Sequence, residues 1–113
     1  MAVDKSLISG STTLLILSLL EEKDMYGYEM IDTLKGKSNN AFELKAGTLY
    51  PLLHSMEEKG WLSVYEQEAG GKMRKYYRIT GDGKKQYQAK KKEWKEYSEA
   101  ILQVIGGVCF GTA

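Results

Sequence analysis

The apolar residues of this chain change period twice, and that change restricts it to few architectures. From Ser9 to Gly60 they recur at three- and four-residue spacing, as on helices with one buried face. From Trp61 to Ile79 they alternate, as on half-buried strands. From Thr80 onward the spacing lengthens to seven, as on a helix that pairs with another. Three short helices, two strands and one long helix are the result.

Ser9–Glu22 predicts the first helix. Leu14, Leu15, Ile16, Leu17, Leu19 and Leu20 cover most of its circumference, so it is expected at the centre of the core. Tyr26–Lys35 predicts the second, with Met30, Ile31 and Leu34 on one side and Gly36 and Ser38-Asn39-Asn40 as its end. Phe42-Glu43-Leu44 reads as a short extended piece. The third helix runs from about Ala46 to Lys59, striped by Leu49, Leu52, Leu53 and Met56, with Gly60 as its left-handed cap. Pro51 is tolerated in a first turn, where its missing N–H has no helical partner. That reasoning moves the expected start towards Thr48–Tyr50 and makes Thr48 a candidate N-cap.

Trp61–Glu68 and Arg74–Ile79 predict two strands, with Leu62, Val64, Tyr77 and Ile79 inward and Ala69-Gly70-Gly71-Lys72 as the turn. The last helix runs from Thr80, capped by Thr80 or Asp82, to about Ile105. Tyr87, Trp94, Ile101 and Val108 lie seven apart, with Lys90, Tyr97 and Val104 between them, which makes an imperfect heptad seam. Gly106 and Gly107 end the helix and leave a tail, Val108–Ala113. The fold class is therefore mainly α with a small β-hairpin. It reads as a winged helix-turn-helix over residues 1–79, then a C-terminal dimerisation helix and tail over 80–113, in one compact unit.

Composition removes several function classes. The 113 residues are about one domain, and 42% hydrophobic with 27% charged is an ordinary globular balance. Cys109 is the single cysteine, so no internal disulfide is possible. With no signal-peptide pattern, a cytoplasmic location is expected. The apolar run Leu14–Leu20 is far short of the ~20 residues that span a bilayer, so no membrane partner is expected. An enzyme is not expected either. His54 is the only histidine, Cys109 has no base partner, and no phosphate loop, metal-ligand cluster or carboxylate pair stands out. Neither cofactor nor metal is implied.

The net charge of +1 argues against coating nucleic acid by bulk charge, so the placement of charge decides. Lys72, Arg74 and Lys75 gather on the hairpin. Lys84, Lys85, Lys90, Lys91, Lys92 and Lys95 crowd the last helix, where the run reads as a solvated face. Acidic residues lie elsewhere, at Glu21, Glu22, Asp24, Glu57, Glu58, Glu66 and Glu68. A helix fits the major groove and reads bases with its N-terminal residues. A basic hairpin tracks the neighbouring phosphates or minor groove. The third helix opens on Lys45, Ala46, Gly47, Thr48 and Tyr50, which are small or polar enough for this.

Two strings, Gly47-Thr48-Leu49-Tyr50-Pro51-Leu52-Leu53 and Met56-Glu57-Glu58-Lys59-Gly60-Trp61-Leu62, resemble the PadR family of transcriptional regulators. So do Tyr26-Gly27-Tyr28-Glu29 and Arg74-Lys75-Tyr76-Tyr77-Arg78-Ile79-Thr80, and the likeness covers about Gly10 to Lys95. The resemblance implies a repressor that dimerises through its last helix and binds an inverted-repeat operator in duplex DNA. Family members respond to phenolic acids or to hydrophobic, often cationic drugs. The single terminal helix is similar to the short subfamily, which includes multidrug-responsive regulators. With Tyr26 of the Tyr26-Gly27-Tyr28-Glu29 string, the expected DNA-contacting residues are Tyr26, Lys45, Gly47, Thr48, Tyr50, Lys72, Arg74 and Lys75. The resemblance also implies that an indole on the terminal helix stacks planar ligands at the dimer centre. Trp94 holds that place with Tyr97 beside it, and an indole face attracts cations. The expected seam is Tyr87, Trp94, Tyr97, Ile101 and Val104. The expected partners are duplex DNA, a second copy of the chain and a hydrophobic or aromatic effector.

The same element order also suits a winged-helix module that binds protein instead of DNA. The wing discriminates. A DNA reader exposes Lys72, Arg74 and Lys75 on the side of Thr48 and Tyr50, whereas a protein binder exposes an apolar patch there.

Overall fold

Leu14 to Leu20 carries too many apolar positions for one helical face, and the helix that contains it, α1 (Lys5–Glu22), is buried on several sides. Ile16 and Leu17 are inaccessible, and Leu19 and Leu20 nearly so. The structure is a computed structural model that describes residues 5–106, with side chains from residue 11 onward. The expected Val108 seam position, Gly107 and Cys109 lie outside the described residues.

α2 (Gly27–Lys37) packs against α1, and α3 (Ala46–Glu58) packs against α2. Their apolar stripes supply Met30 and Leu34, and Leu49, Leu53 and Met56. Leu44 joins this core from the loop before α3, where Phe42-Glu43-Leu44 forms no strand. Full burial of each such side chain is worth roughly 1.5–3 kcal/mol, which outweighs helix propensity at any one position.

Three strands form the rest. They are β1 (Met25–Tyr26), β2 (Leu62–Ala69) and β3 (Lys72–Ile79), in one antiparallel sheet of order β1-β3-β2. The hairpin register runs from Leu62↔Ile79 to Ala69↔Lys72. Gly70 and Gly71 both have positive φ (60° and 79°), which a two-residue hairpin turn of the type I′ kind requires. Leu62, Tyr77 and Ile79 point into the core as the alternation predicts, and Val64 packs half-buried beside them.

Two sequence expectations are corrected here. Tyr26 does not begin the second helix. It belongs to β1, which pairs Met25↔Tyr77 and Tyr26↔Tyr76 and turns the expected hairpin into a three-stranded sheet. Nor does Thr48 cap α3. The helix starts at Ala46, its N-cap is Lys45 without a side-chain bond, and the N–H groups of Thr48 and Leu49 both reach the Lys45 carbonyl. Pro51 therefore sits inside the helix, beyond the first turn. Its ring opposes the carbonyl of Gly47, four residues back. Gly47 and Pro51 are both exposed, and nothing crowds Gly47, so water can take the carbonyl that the proline leaves unbonded.

The last helix, α4 (Gly81–Ile105), is capped by Thr80, whose hydroxyl accepts from the Gly83 N–H at 3.0 Å and donates to the Gly60 carbonyl at 2.6 Å. The Thr80 N–H bonds the Trp61 carbonyl at 3.0 Å. Gly83 is buried against the same segment. A Cβ there would lie 2.7 Å from Ile79 Cγ1 and 3.1 Å from the Trp61 carbonyl carbon. The first turn of α4 is thus locked to the Gly60-Trp61 connection between α3 and β2. Gly106, in the left-handed conformation (φ 76°), closes the helix. α4 packs against α1, and the molecule measures 54 × 31 × 23 Å.

Candidate nucleic-acid interface

The residues that begin α2, occupy the first half of α3 and flank the wing meet in one groove. Tyr26, Gly27, Tyr28, Tyr50, Met73, Arg74 and Lys75 line this open depression of about 240 Å³. Four of the expected DNA-contacting residues, Tyr26, Tyr50, Arg74 and Lys75, are therefore brought together. Lys45, Gly47 and Thr48 stand exposed at the start of α3, and Lys72 is exposed beside the hairpin turn; none of these four lines the groove. His54 is exposed on α3.

Gly27 explains how Tyr50 reaches this place. The Tyr50 ring lies directly over it, and a Cβ at Gly27 would come within 2.6 Å of the ring carbon Cζ. Burial pushes the Tyr50 phenol above its usual pKa, Tyr28 pushes the same way, and Arg74 opposes them. A raised phenol stays protonated at neutral pH, so Tyr50 offers an O–H donor rather than a negative charge.

The strand register sorts the wing. Lys72, Arg74, Tyr76 and Arg78 alternate with Met73, Lys75, Tyr77 and Ile79. Lys72 and Arg74 thus share the outer face, and Lys75 extends the face that enters the core. The expectation that all three cations stand on one side is only partly met, although Arg74 and Lys75 border the same groove. Arg74 is also less free than a surface arginine. It is half-buried, its Nε donates to the Ala69 carbonyl at 3.1 Å, and its guanidinium carbon stands 4.5 Å from the Tyr26 ring centre.

An aromatic ladder crosses the outer face. Tyr26 meets Tyr76 edge-on with centres 5.5 Å apart, and Tyr76 stacks on Tyr65 at 5.6 Å. Asp24 secures its far end by accepting from the Tyr65 hydroxyl at 2.7 Å and Arg78 Nε at 3.1 Å. That hydrogen bond also raises the Tyr65 phenol. Tyr77 packs in the core, as expected, and Tyr76 packs in the ladder.

Pairing separates the cations. Lys23, Lys35, Lys37 and Arg78 each have a carboxylate partner, Glu29, Glu43, Glu22 and Asp24 respectively. Among the described residues Lys45, Lys72, Arg74 and Lys75 have none. Among the described residues the lysines of α4 have no carboxylate partner either, so the lack of one does not mark the site by itself. The placement of Arg74 and Lys75 beside Tyr50 does. Three groove residues, Gly27, Tyr28 and Met73, were absent from the expected contact set. Tyr28 and Met73 are 58% and 62% exposed, and neither follows from periodicity. The only signal for Tyr28 is its place beside Gly27 in the Tyr26-Gly27-Tyr28 string.

The second expected site lies on α4. Trp94, Tyr97, Ile101 and Val104 are all exposed, Val104 by 86%, and the Trp94 and Tyr97 rings lie 5.8 Å apart. Tyr87 differs from them. It is half-buried against the core of its own chain, with Lys91 Nζ 5.6 Å from its ring centre. Trp61, the other indole, lies between Lys59 and Lys90, whose ammonium groups are 4.9 and 5.5 Å from its ring centre. Among the described residues no cluster of ligating side chains suits a metal, and no helix is long and apolar enough to cross a membrane.

A family model described as the transcriptional regulator PadR-like family matches residues 16–89. An uncharacterized protein X of Lysinibacillus sphaericus is 41% identical over 94% of this chain and 98% of its own length. The transcriptional regulator YqjI of Escherichia coli K12 is 28% identical over 92% of this chain, which spans only 47% of that protein. Among solved structures, a transcriptional regulator from Clostridium thermocellum aligns with a TM-score of 0.82 at 36% identity, covering 88% of this chain and 97% of that one. A PadR family transcription regulator from Clostridium difficile aligns with a TM-score of 0.74 at 35% identity, covering 84% and 98%.

Proposed function

Since the chain belongs to the PadR-like family of transcriptional regulators, which are regulators rather than enzymes, we propose that it is a cytoplasmic, ligand-responsive repressor. In this reading it binds an inverted-repeat operator in duplex DNA as a homodimer. The observation that carries the DNA part is the groove in which Tyr50 of α3 meets Arg74 and Lys75 of the wing, with no carboxylate paired to either cation. The exposed start of α3, Lys45, Gly47 and Thr48, enters the major groove, while Lys72, Arg74 and Lys75 hold the adjoining phosphates. Glu57 and Glu58 sit at the other end of α3, away from the reading end.

Binding to the duplex upstream of the protein's own gene tests this. Affinity falls linearly on a logarithmic plot against salt, with a slope of about 0.9 per phosphate contacted. Arg74→Ala lowers affinity for every duplex and reduces the slope by about one. Unchanged affinity and slope in that variant would remove Arg74 from the interface.

The exposed apolar stripe of α4 supports the dimer and the effector together. Trp94 and Tyr97 offer two adjacent aromatic faces, 48% and 58% exposed, on the helix that also exposes Ile101, Val104 and Ile105. A planar aromatic cation stacks on such a face. Addition of one therefore quenches indole emission in the wild type, and Trp94→Ala removes most of the quenching. Quenching that survives the substitution assigns the ligand to Trp61.

A further inference from the structure

Tyr26 stands in the groove, yet its ring is already occupied. The Arg74 guanidinium covers one side of it at 4.5 Å, and the edge contact with Tyr76 fills another. Arg74 is fixed at a second point through Nε and the Ala69 carbonyl. Its flanking residues Met73 and Lys75 are exposed, while Arg74 itself is half-buried. One of its five N–H donors is used by Ala69, and among the described residues the terminal amino groups have no hydrogen-bond or ion-pair partner.

We propose that Tyr26 is a positioning residue for Arg74 and does not itself read DNA. Strand β1 enters the helix-turn-helix through α2, and its pairing Tyr26↔Tyr76 ties it to the wing. Tyr26 thus holds the wing's guanidinium in a fixed orientation relative to α3, with its outer fork free. A planar fork held in place binds a phosphate bidentately without first surrendering its rotamer freedom. A lysine in its place has neither the flat face for Tyr26 nor the fork for the phosphate.

The inference rests on the DNA-binding reading, and the test separates the two. Wild type, Tyr26→Leu, Tyr26→Phe, Arg74→Lys, Arg74→Ala and the double variant Tyr26→Leu/Arg74→Ala are titrated against the upstream duplex at several salt concentrations. Tyr26→Leu and Arg74→Lys each weaken binding by about tenfold, the scale of a cation–π contact that has lost its solvent. Tyr26→Phe, which keeps the ring and lacks the hydroxyl, recovers most of what Tyr26→Leu loses. The double variant binds no more weakly than Arg74→Ala, because Tyr26 acts only through that arginine. If Tyr26→Leu weakens the Arg74→Ala protein as much as the wild type, or has no effect on either, the positioning role is overturned. If wild type binds no duplex, the DNA reading itself falls. Should Tyr26→Leu fail to fold, proton chemical shifts of the free wild-type protein decide. Ring current from Tyr26 displaces the Arg74 side-chain protons upfield, and ordinary shifts there would overturn the proposal.

Discussion

Ile101→Glu is expected to turn a dimer into a monomer and to weaken operator binding by more than about 100-fold. In the single chain Trp94, Tyr97, Ile101, Val104 and Ile105 are 48, 58, 40, 86 and 70% accessible, on a helix that otherwise presents polar side chains. Such an exposed stripe stays wet unless a second copy covers it. A carboxylate in the middle of that seam must be desolvated without a partner, which costs more than one side-chain contact returns. Two linked reading heads gain roughly 10²–10⁴ in apparent affinity over one, so losing the link loses that factor. Ile101 lies outside the core cluster, so the winged helix keeps its fold and its weak, salt-sensitive affinity for any duplex. Sedimentation and titration of the same samples check both halves. A variant that stays dimeric, or a monomer that binds as tightly as wild type, contradicts the account.

Gly83→Ala carries the largest expected effect on stability, and two opposed terms set its sign. Alanine in a helix is favoured over glycine by about 1 kcal/mol. Against that, the added Cβ would sit 3.1 Å from the Trp61 carbonyl carbon and 2.7 Å from Ile79 Cγ1. The first is backbone, and it is held by the Thr80 N–H bond to the Trp61 carbonyl. Overpacking of this kind costs typically 1–3 kcal/mol, and the contact here is severe, so the clash wins. The expected outcome is a net loss of about 1–2 kcal/mol, read as a melting temperature lower by roughly 5–10 °C for a domain of this size. Gly81→Ala is the control. Nothing lies within 4 Å of its Cβ position, so that variant is neutral or slightly stabilised. Equal behaviour of the two variants would mean that α4 is not locked to the connection between α3 and β2.

The helices and the hairpin were legible because each repeats its signal several times. Ile16 and Leu17, Met30 and Leu34, and Leu49, Leu53 and Met56 all fall where apolar spacing puts them. Strand β1 was not legible. Two residues cannot display an alternation, and the partners that make Met25–Tyr26 a strand lie far along the chain in β3. The start of α3 was misplaced for a different reason. The rule against interior proline counts a lost hydrogen bond and a ring opposed to the carbonyl four residues earlier, and here both fall on exposed residues, Gly47 and Pro51, where water can take the freed carbonyl.

The candidate site divides in the same way. Arg74 and Lys75 announce themselves as cations on a hairpin, and Tyr50 as an aromatic among small residues. Tyr28 and Met73 join the groove only through tertiary packing. The Arg74–Tyr26 contact joins two elements that the sequence keeps apart. Periodicity also placed Tyr87 and Trp94 on one seam, yet the structure buries Tyr87 partly in its own core and leaves Trp94 exposed. Position in a heptad says which side of a helix a residue takes, not how far along that helix its own domain extends.

The central claim is that two copies of this chain read duplex DNA together, through α3 and the wing. Hydroxyl-radical footprinting on the upstream duplex of its own gene tests that most directly. The account predicts two protected patches on one face of the DNA, about 34 Å apart, or one helical turn, with both lost together in Ile101→Glu. A single patch that persists in that variant, or even protection along the whole duplex, would contradict it.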